Sequence, residues 1–538
     1  MSRYISSVDY SGPTESVTIK QWLGAPPEFS DCEIDETLEA DVIVCGAGLA
    51  GVSAARAASE AGVSVILFEK CSNVLYRSSD FGVLGGKLSS RWGRDDINKQ
   101  EVIAALMRDA SYRVKQTILN FWADHSGDDL DWYLEGDPGI LILDECINSL
   151  NKARPEGYDY CVEPQRHPNP PDYDVHGEMY PCFECSVRIL PDHGKVLKGN
   201  LKLAEATGLC RTYFESPVQR LLQNDSGKVV GVIAKSFSGK VYKAIATKAV
   251  ILATGDYSGN RDMLIHYCPW VRDKSVMGIG LDKSGTVANT GDGHRMAMWI
   301  GAKMEYGPHA CISHSKGGSV GMAQYLQLNI NGERFMNEDT GGQQFDNQIM
   351  MQPEKYSWML FDSAWPEQLR FMVPTHGYAY LGEDNRLRKQ VDDNIVTSIK
   401  RGDTVCAETL DELITLMGLP PENAKASILR YNSFAEKGED MDFGKCASRL
   451  FQVEKAPYYA TKIKACPIMN SLAGMESDES CRCYDSSGKA IDGLLVVGNM
   501  QGNRFAVEYP TTVPGLSHSM AMTFGRCAGQ IAAEGKNS

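Results

Sequence analysis

No stretch of the 538 residues is both long and apolar enough to cross a bilayer, so a spanning helix is not expected. The first residues, MSRYISSVDYSGPTES, hold no apolar core of a secretory leader and no twin arginine, so the expected location is the cytoplasm. Positive charge is scarce: 54 Lys and Arg stand against 69 Asp and Glu, a formal net charge of -15. That balance argues against nucleic acid or an anionic membrane surface as main partner. Internal repeats and low-complexity segments are missing, so a repeat architecture is not expected. No second GxGxxG marks a separate nicotinamide-nucleotide domain.

What remains is ordinary for a soluble globular chain, with 43% hydrophobic and 23% charged residues. The length suits two or three packed units. Cysteine is the one abundant exception, at 16 residues. Many of these sit in apolar contexts, such as Cys45, Cys210 and Cys527, where the thiol acts as a small hydrophobe. Two clusters stand out: Cys182-Phe183-Glu184-Cys185, and Cys481-Arg482-Cys483 with Cys466 upstream. Cys185 is followed by Ser186, not His, which does not indicate covalent c-type haem. Neither cluster supplies four metal ligands at a familiar spacing. Buried or surface thiols are expected, with an iron–sulfur cluster on these five cysteines as the alternative.

The informative feature is a glycine-rich hexad, Gly46-Ala47-Gly48-Leu49-Ala50-Gly51. Val42-Ile43-Val44 reads as a buried strand before it, and an Ala-rich helix follows, roughly Leu49 to Ala61. A second strand, Val63 to Phe68, ends at Glu69, which lies 18 residues after Gly51. This is near the spacing at which a carboxylate meets an adenosine ribose. The first glycine permits a tight turn, the second lets backbone approach a pyrophosphate, and the third lets helix and strand pack closely. The helix N-terminus offers free N–H groups and partial positive charge to phosphates. A bound dinucleotide is expected.

Two later strands also end in glycine: Ala249-Val250-Ile251-Leu252-Ala253-Thr254-Gly255, and Gly493-Leu494-Leu495-Val496-Val497-Gly498-Asn499. They fit one nucleotide-binding sheet interrupted by an insertion. The expected organisation is an acidic N-terminal arm (1–38), a first part of the nucleotide domain (39–261), an inserted unit (262–410) and a second part (411–538). Residues 95–150 read as helical and 155–195 as loop. A hairpin is expected around Ser238-Gly239, and strands over Tyr325–Ile330 and Tyr356–Phe361. A small-residue helix is expected from Leu516 to Ala533.

The order of motifs resembles the superfamily of fumarate reductase and succinate dehydrogenase flavoproteins, urocanate reductases and 3-ketosteroid dehydrogenases. The matching pieces are GAGLAG with Glu69-Lys70, Ser78-Ser79 with Gly85-Gly86, ILATGDYSGN at 251–260, NTGDGHRMA at 289–297, NGERFMNE at 331–338, and LLVVGN at 494–499. The resemblance implies an α/β fold: a Rossmann-like FAD-binding domain with an inserted α+β capping domain. It implies that the FAD pyrophosphate lies on Gly46 to Gly51 and that Glu69 holds the ribose. Ser78 and Gly86 would line the flavin side, and Val218 would contact adenine through its backbone. Asp292 would face the ribityl or flavin. Gly498-Asn499 and Gly515-Leu516-Ser517 would meet the ribityl and the pyrimidine edge. A helix starting near Gly515 would then place its positive end at the flavin N1–C2=O edge and stabilise the reduced anion.

Fumarate reductases surround two carboxylates with arginines. Here their position before the last helix falls on Thr512, and Asp339 to Gln352 holds no arginine. Arg504 is the one candidate substitute, a poor provision for a dicarboxylate. The stretch Tyr509-Pro510-Thr511-Thr512-Val513-Pro514-Gly515 looks instead like the YPGPG segment of 3-ketosteroid dehydrogenases with two extra residues. In that family the tyrosine hydroxyl and the glycine N–H bind the substrate carbonyl, as an oxyanion hole would. The tyrosine that follows the cap's RF-x-NE motif in those enzymes is replaced by Asp339-Thr340-Gly341-Gly342. Asp339, Tyr257, Tyr325 or His518 are the candidates for its proton-transfer role. The expected activity is reduction of a C=C bond next to a ketone in an apolar enone, such as a 3-keto-steroid or bile acid. Electrons would come from a separate, unidentified donor. The alternatives are a carboxylate-activated alkene of the fumarate, urocanate or acrylate type, another plant-derived enone or lactone such as a cardiac glycoside, and an electron-relay protein.

Overall fold

A computed structural model describes residues 18–147, 154–164, 174–178, 181–277, 285, 287–313, 317–372 and 385–535. Its main sheet runs Arg482–Tyr484, Ala490–Val496, Val241–Leu252, Glu36–Cys45, Val65–Phe68, Cys210–Tyr213. All neighbours along it are parallel except the first pair. Val42 and Val44 point into one core, with the helices Leu49–Glu60, Gln116–Leu134, Gly194–Ala206 and Leu516–Glu534. Ile43 and Cys45 point into the other. Burial on both faces is why these strands read as unbroken apolar runs rather than alternating ones.

The register sets up the site. Cys45 lies opposite both Phe68 and Leu252, and Leu252 opposite Val496. The residues that follow, Gly46, Glu69, Ala253 and Gly498, therefore emerge at one edge, the carboxyl end of the parallel strands. The closing helix Leu516–Glu534 is drawn tight over the first helix by small residues. A Cβ on Gly525 would lie 2.4 Å from the Ala50 carbonyl oxygen, and one on Gly529 2.3 Å from that of Ala54.

A second, antiparallel sheet orders Leu326–Leu328, Tyr356–Asp362, Tyr458–Lys464 and Thr404–Ala407, again with a core on each face. This corrects the boundary expected at 410. Tyr458–Lys464 is an inner strand of the inserted sheet, and the helices Leu410–Met417 and Pro421–Lys437 pack into the same core. The chain rejoins the main sheet only at Arg482–Tyr484.

The segment expected to be loop also differs. Cys161–Pro164 and Ser186–Leu190 are strands of a third sheet with Asp80–Gly82 and Leu141–Ile142. That sheet backs the segment before the closing helix: a Cβ on Gly82 would meet the Val513 side chain at 2.3 Å. Residues 1–17 of the expected arm lie outside the described residues. The rest of it is anchored, with Trp22 only 5% exposed and packed on His266 and Tyr267. The hairpin around Ser238-Gly239 forms as expected, with Val241–Ile245 antiparallel to Gly231–Lys235. Among the described residues no helix is long and apolar enough to cross a membrane.

Candidate active site

A cavity of about 280 Å³ opens at the carboxyl edge of the main sheet. The hexad's glycines divide there by role. Gly46 has φ +107°, and a Cβ on it would lie 2.5 Å from the Ala253 carbonyl oxygen; on Gly51 it would lie 1.8 Å from that of Gly46. These two make the turn and the close packing. Gly48 faces the cavity with no protein atom nearer than 4.0 Å to its Cβ position. Gly48 is also the N-cap of the helix Leu49–Glu60 and has no side-chain cap, so the first-turn N–H groups have no intrahelical acceptor. Leu49 and Ala50 line the cavity beside it. This arrangement can receive phosphate oxygens.

Glu69 lines the same cavity, and its carboxylate accepts the N–H of Ala47 at 2.5 Å and of Cys71 at 2.7 Å. Burial pushes its carboxyl upward, against those hydrogen bonds. Lys70 donates to Thr290 and Asp292, and Arg295 also reaches Asp292. Burial opposes ionisation of Asp292, but Lys70 and these hydrogen bonds outweigh it and hold the carboxyl below its ordinary range. Ala253, Thr254, Gly255, Val218, Gly498 and Asn499 complete this half. Thr254 Oγ1 is buried with no hydrogen-bond partner, which calls for one from a ligand.

The other half gathers around the closing helix. Gly515, its N-cap, has φ +81°, and a Cβ there would lie 2.4 Å from the Asp80 carbonyl carbon. Ser517 N–H donates to the Tyr509 hydroxyl at 3.2 Å. Tyr509 is 3% exposed, and burial raises its phenol, so it stays protonated. Ser78, Tyr509, Gly515, Ser517 and His518 all face the cavity.

A family profile described as "FAD binding domain" matches residues 41–511. The chain belongs to this FAD-binding family. Its relatives include a probable fumarate reductase of Shewanella frigidimarina, 26% identical over 508 residues, 92% of this chain and 74% of that protein. A vinyl phenol reductase of Lactiplantibacillus plantarum is 24% identical over 526 residues, 92% of this chain and 96% of its own. Among solved structures, a 3-ketosteroid-Δ4-(5α)-dehydrogenase of Rhodococcus jostii shares the fold, with TM-score 0.68 and 21% identity over 94% of this chain and 99% of that one. The site fits FAD on its own geometry: an open approach at Gly48, an uncapped helix N-terminus, and a buried Thr254 hydroxyl lacking a partner.

Several expected FAD contacts lie outside the cavity. Ala47 and Leu516 are wholly buried supports, with Ala47 N–H held by Glu69. Ser79 is buried, and its carbonyl accepts the Ile189 N–H. Gly85 and Gly86 serve helix packing instead: a Cβ on Gly86 would lie 2.6 Å from the Gly127 carbonyl carbon, and one on Gly127 2.2 Å from that of Gly85.

The expected catalytic set narrows more sharply. Asp339 does not reach the cavity; Arg449 Nε holds it at 2.7 Å and Cys446 N–H at 2.7 Å. Arg504 is sealed in the interior, donating to the Gln501 carbonyl at 2.9 Å, and burial lowers its guanidinium to about 10. Tyr257 is hydrogen-bonded to His309 at 2.8 Å, and Tyr325 lies in a core of the inserted sheet. Of the four proton-transfer candidates only His518 lines the cavity.

The iron–sulfur alternative finds no ligand set. Cys481 and Cys483 point into opposite cores, and among the described residues no three His, Cys, Asp or Glu side chains gather as a metal site. Burial pushes Cys182 and Cys185 up to about 12, the reverse of a metal-binding thiolate. Cys466 is half-buried, and its backbone N–H donates to Asp346 at 2.7 Å.

Sequence reasoning missed Arg77, His193, Met469, Asn470 and Leu472, which also line the cavity. Asn289 could have been found, since it opens the NTGDG motif. Met469 to Leu472 carry no motif and sit beside a cysteine cluster that drew attention away from them.

Proposed function

We propose that the chain is an FAD-dependent reductase of a carbon–carbon double bond conjugated to a ketone, acting on a neutral, largely apolar enone such as a 3-keto-steroid or bile-acid-like molecule. The observation that carries this reading is the Tyr509 hydroxyl. It is protonated, accepts the Ser517 N–H at 3.2 Å and lines the cavity, where a substrate's carbonyl oxygen can approach it. The positive end of the closing helix lies at the same place. FAD, when bound, supplies the hydride that adds to the carbon β to the carbonyl. Negative charge then builds on the carbonyl oxygen, and Tyr509 with the helix N-terminus stabilises it as an enolate. Ile312, Met469 and Leu472 give this region an apolar wall. A relative named for a vinyl phenol, an uncharged alkene, supports a neutral substrate. Electrons reach the cofactor from a separate donor.

One observation favours the carboxylate alternative. Arg77 lines the cavity and donates to the Met469 carbonyl and Asn470 Oδ1, both at 3.1 Å. Burial pulls its guanidinium down to about 10, so it remains cationic at neutral pH. A titration of the oxidised holoenzyme separates the two readings. Saturated cyclic ketones should perturb the flavin spectrum at concentrations where saturated carboxylates leave it unchanged. Perturbation by carboxylates alone would assign the site to Arg77 and end the enone reading.

A further inference from the structure

His193 lines the cavity, is 1% exposed, and leaves one of its two ring nitrogens unused. Nδ1 lies 2.8 Å from the Tyr133 hydroxyl. Tyr133 does not line the cavity, so the tied nitrogen faces away from it and Nε2 lies on the opposite side of the ring. Nε2 is buried with no hydrogen-bond partner. The Arg77 carbonyl faces the ring without the geometry of a hydrogen bond. A buried polar atom left unpaired is costly and calls for a partner from a ligand. We propose that this partner is an acceptor atom of the bound isoalloxazine ring, and that Tyr133 and His193 form a hydrogen-bond relay that stabilises the reduced cofactor. The inference goes beyond the choice of substrate and holds for an enone or a carboxylate alike.

The imidazole is fixed in place. His193 precedes the helix Gly194–Ala206, and its carbonyl accepts the Leu197 N–H at 2.9 Å. The chain is packed tightly here, since a Cβ on Gly194 would lie 2.3 Å from the Tyr76 ring. Phe81 meets the imidazole edge-on at 5.4 Å between ring centroids, and His518 lies at 5.8 Å. His518 follows Ser517, so His193 belongs to the half of the cavity at the closing helix. The features suited to phosphates and ribose, Gly48 and Glu69, lie in the other half, which leaves this one for the flavin ring.

The relay has one arrangement that strands no hydrogen. Burial first, then His518, lowers His193 to about 3, so the ring is neutral and carries a single hydrogen. Burial holds the Tyr133 phenol far above its ordinary range, so it keeps its own. Among the described residues Nδ1 is the one partner of that hydroxyl. Tyr133 therefore donates to Nδ1, and the imidazole hydrogen sits on Nε2. His193 then presents a neutral donor, oriented by Tyr133 as a positioning residue. Such a donor favours the cofactor form with more negative charge, the reduced one.

The test measures the midpoint potential of FAD bound to the full chain, with no alkene present. His193→Leu should lower the equilibrium constant for two-electron reduction about tenfold to hundredfold, about 30–60 mV in potential. His193→Gln keeps an N–H of similar reach and should recover most of that loss. Tyr133→Phe releases the tautomer and should give a smaller shift in the same direction. A wild-type potential in FAD-loaded His193→Leu would overturn the proposal. So would a His193→Gln potential as low as that of His193→Leu, which would assign the effect to packing alone. Should His193→Leu not hold FAD, Tyr133→Phe decides, and an unchanged potential there overturns the proposal. No substrate enters the measurement, so its outcome is separate from the choice between enone and carboxylate.

Discussion

Tyr509→Phe should slow reoxidation of the reduced enzyme by an enone about 10²–10³-fold while FAD stays bound. The substitution removes one hydroxyl from a ring that is otherwise fully packed, with Phe505 at 5.5 Å between ring centroids. In the proposed reaction the lost hydroxyl is the group that meets the oxygen on which charge builds. Loss of one such donor costs about 2.7–4 kcal/mol in the transition state. The Ser517 N–H also loses its acceptor, so a small fall in stability of about 1 kcal/mol is expected. Anaerobic rapid mixing gives the rate, and the flavin-to-protein ratio gives occupancy. A rate within twofold of wild type would remove Tyr509 from the chemistry.

Gly51→Ala should cost the chain most of its cofactor. The new Cβ would stand 1.8 Å from the Gly46 carbonyl oxygen and 2.9 Å from the carbonyl carbon, both backbone atoms that cannot rotate away. Relief requires the helix Leu49–Glu60 to move off the turn, which opens the phosphate cradle. Overpacking of this kind costs about 1–3 kcal/mol, or roughly a tenfold to hundredfold loss of FAD affinity if it falls on the bound state. Gly48→Ala is the contrasting control. Its Cβ meets no protein atom nearer than the Leu75 carbonyl oxygen at 4.0 Å, an ordinary contact, so the apo-protein should melt as the wild type does. The methyl instead fills the space through which the pyrophosphate approaches, and affinity should fall without loss of stability. Fluorimetric FAD titration with parallel thermal melts checks both variants.

The contrast between these glycines shows which parts of the site were legible in sequence. The unit from Val42 to Glu69 is local, and each spacing in it follows from strand rise and helix pitch. The glycine ends of the two later strands were legible for the same reason, because a buried parallel strand reads as an apolar run. Contacts between distant segments were not legible. Asp339 looked available after NGERFMNE, but Arg449, 110 residues on, holds its carboxylate. Gly85-Gly86 looked like a flavin turn, whereas Gly127 on another helix requires the small size of Gly86. The inserted unit extended beyond its expected end because Tyr458–Lys464 finds its partners in Tyr356–Asp362 and Thr404–Ala407.

The central claim is that the flavin of this chain reduces a neutral alkene activated by a ketone. It is tested most directly by mixing anaerobic, chemically reduced holoenzyme with a panel of cyclic enones, 3-keto-steroid enones, fumarate, urocanate and acrylates while flavin reoxidation is followed. Rapid reoxidation by ketone-conjugated alkenes, with the carboxylates at least a hundredfold slower, is the predicted result. Reoxidation by the carboxylates alone would contradict it.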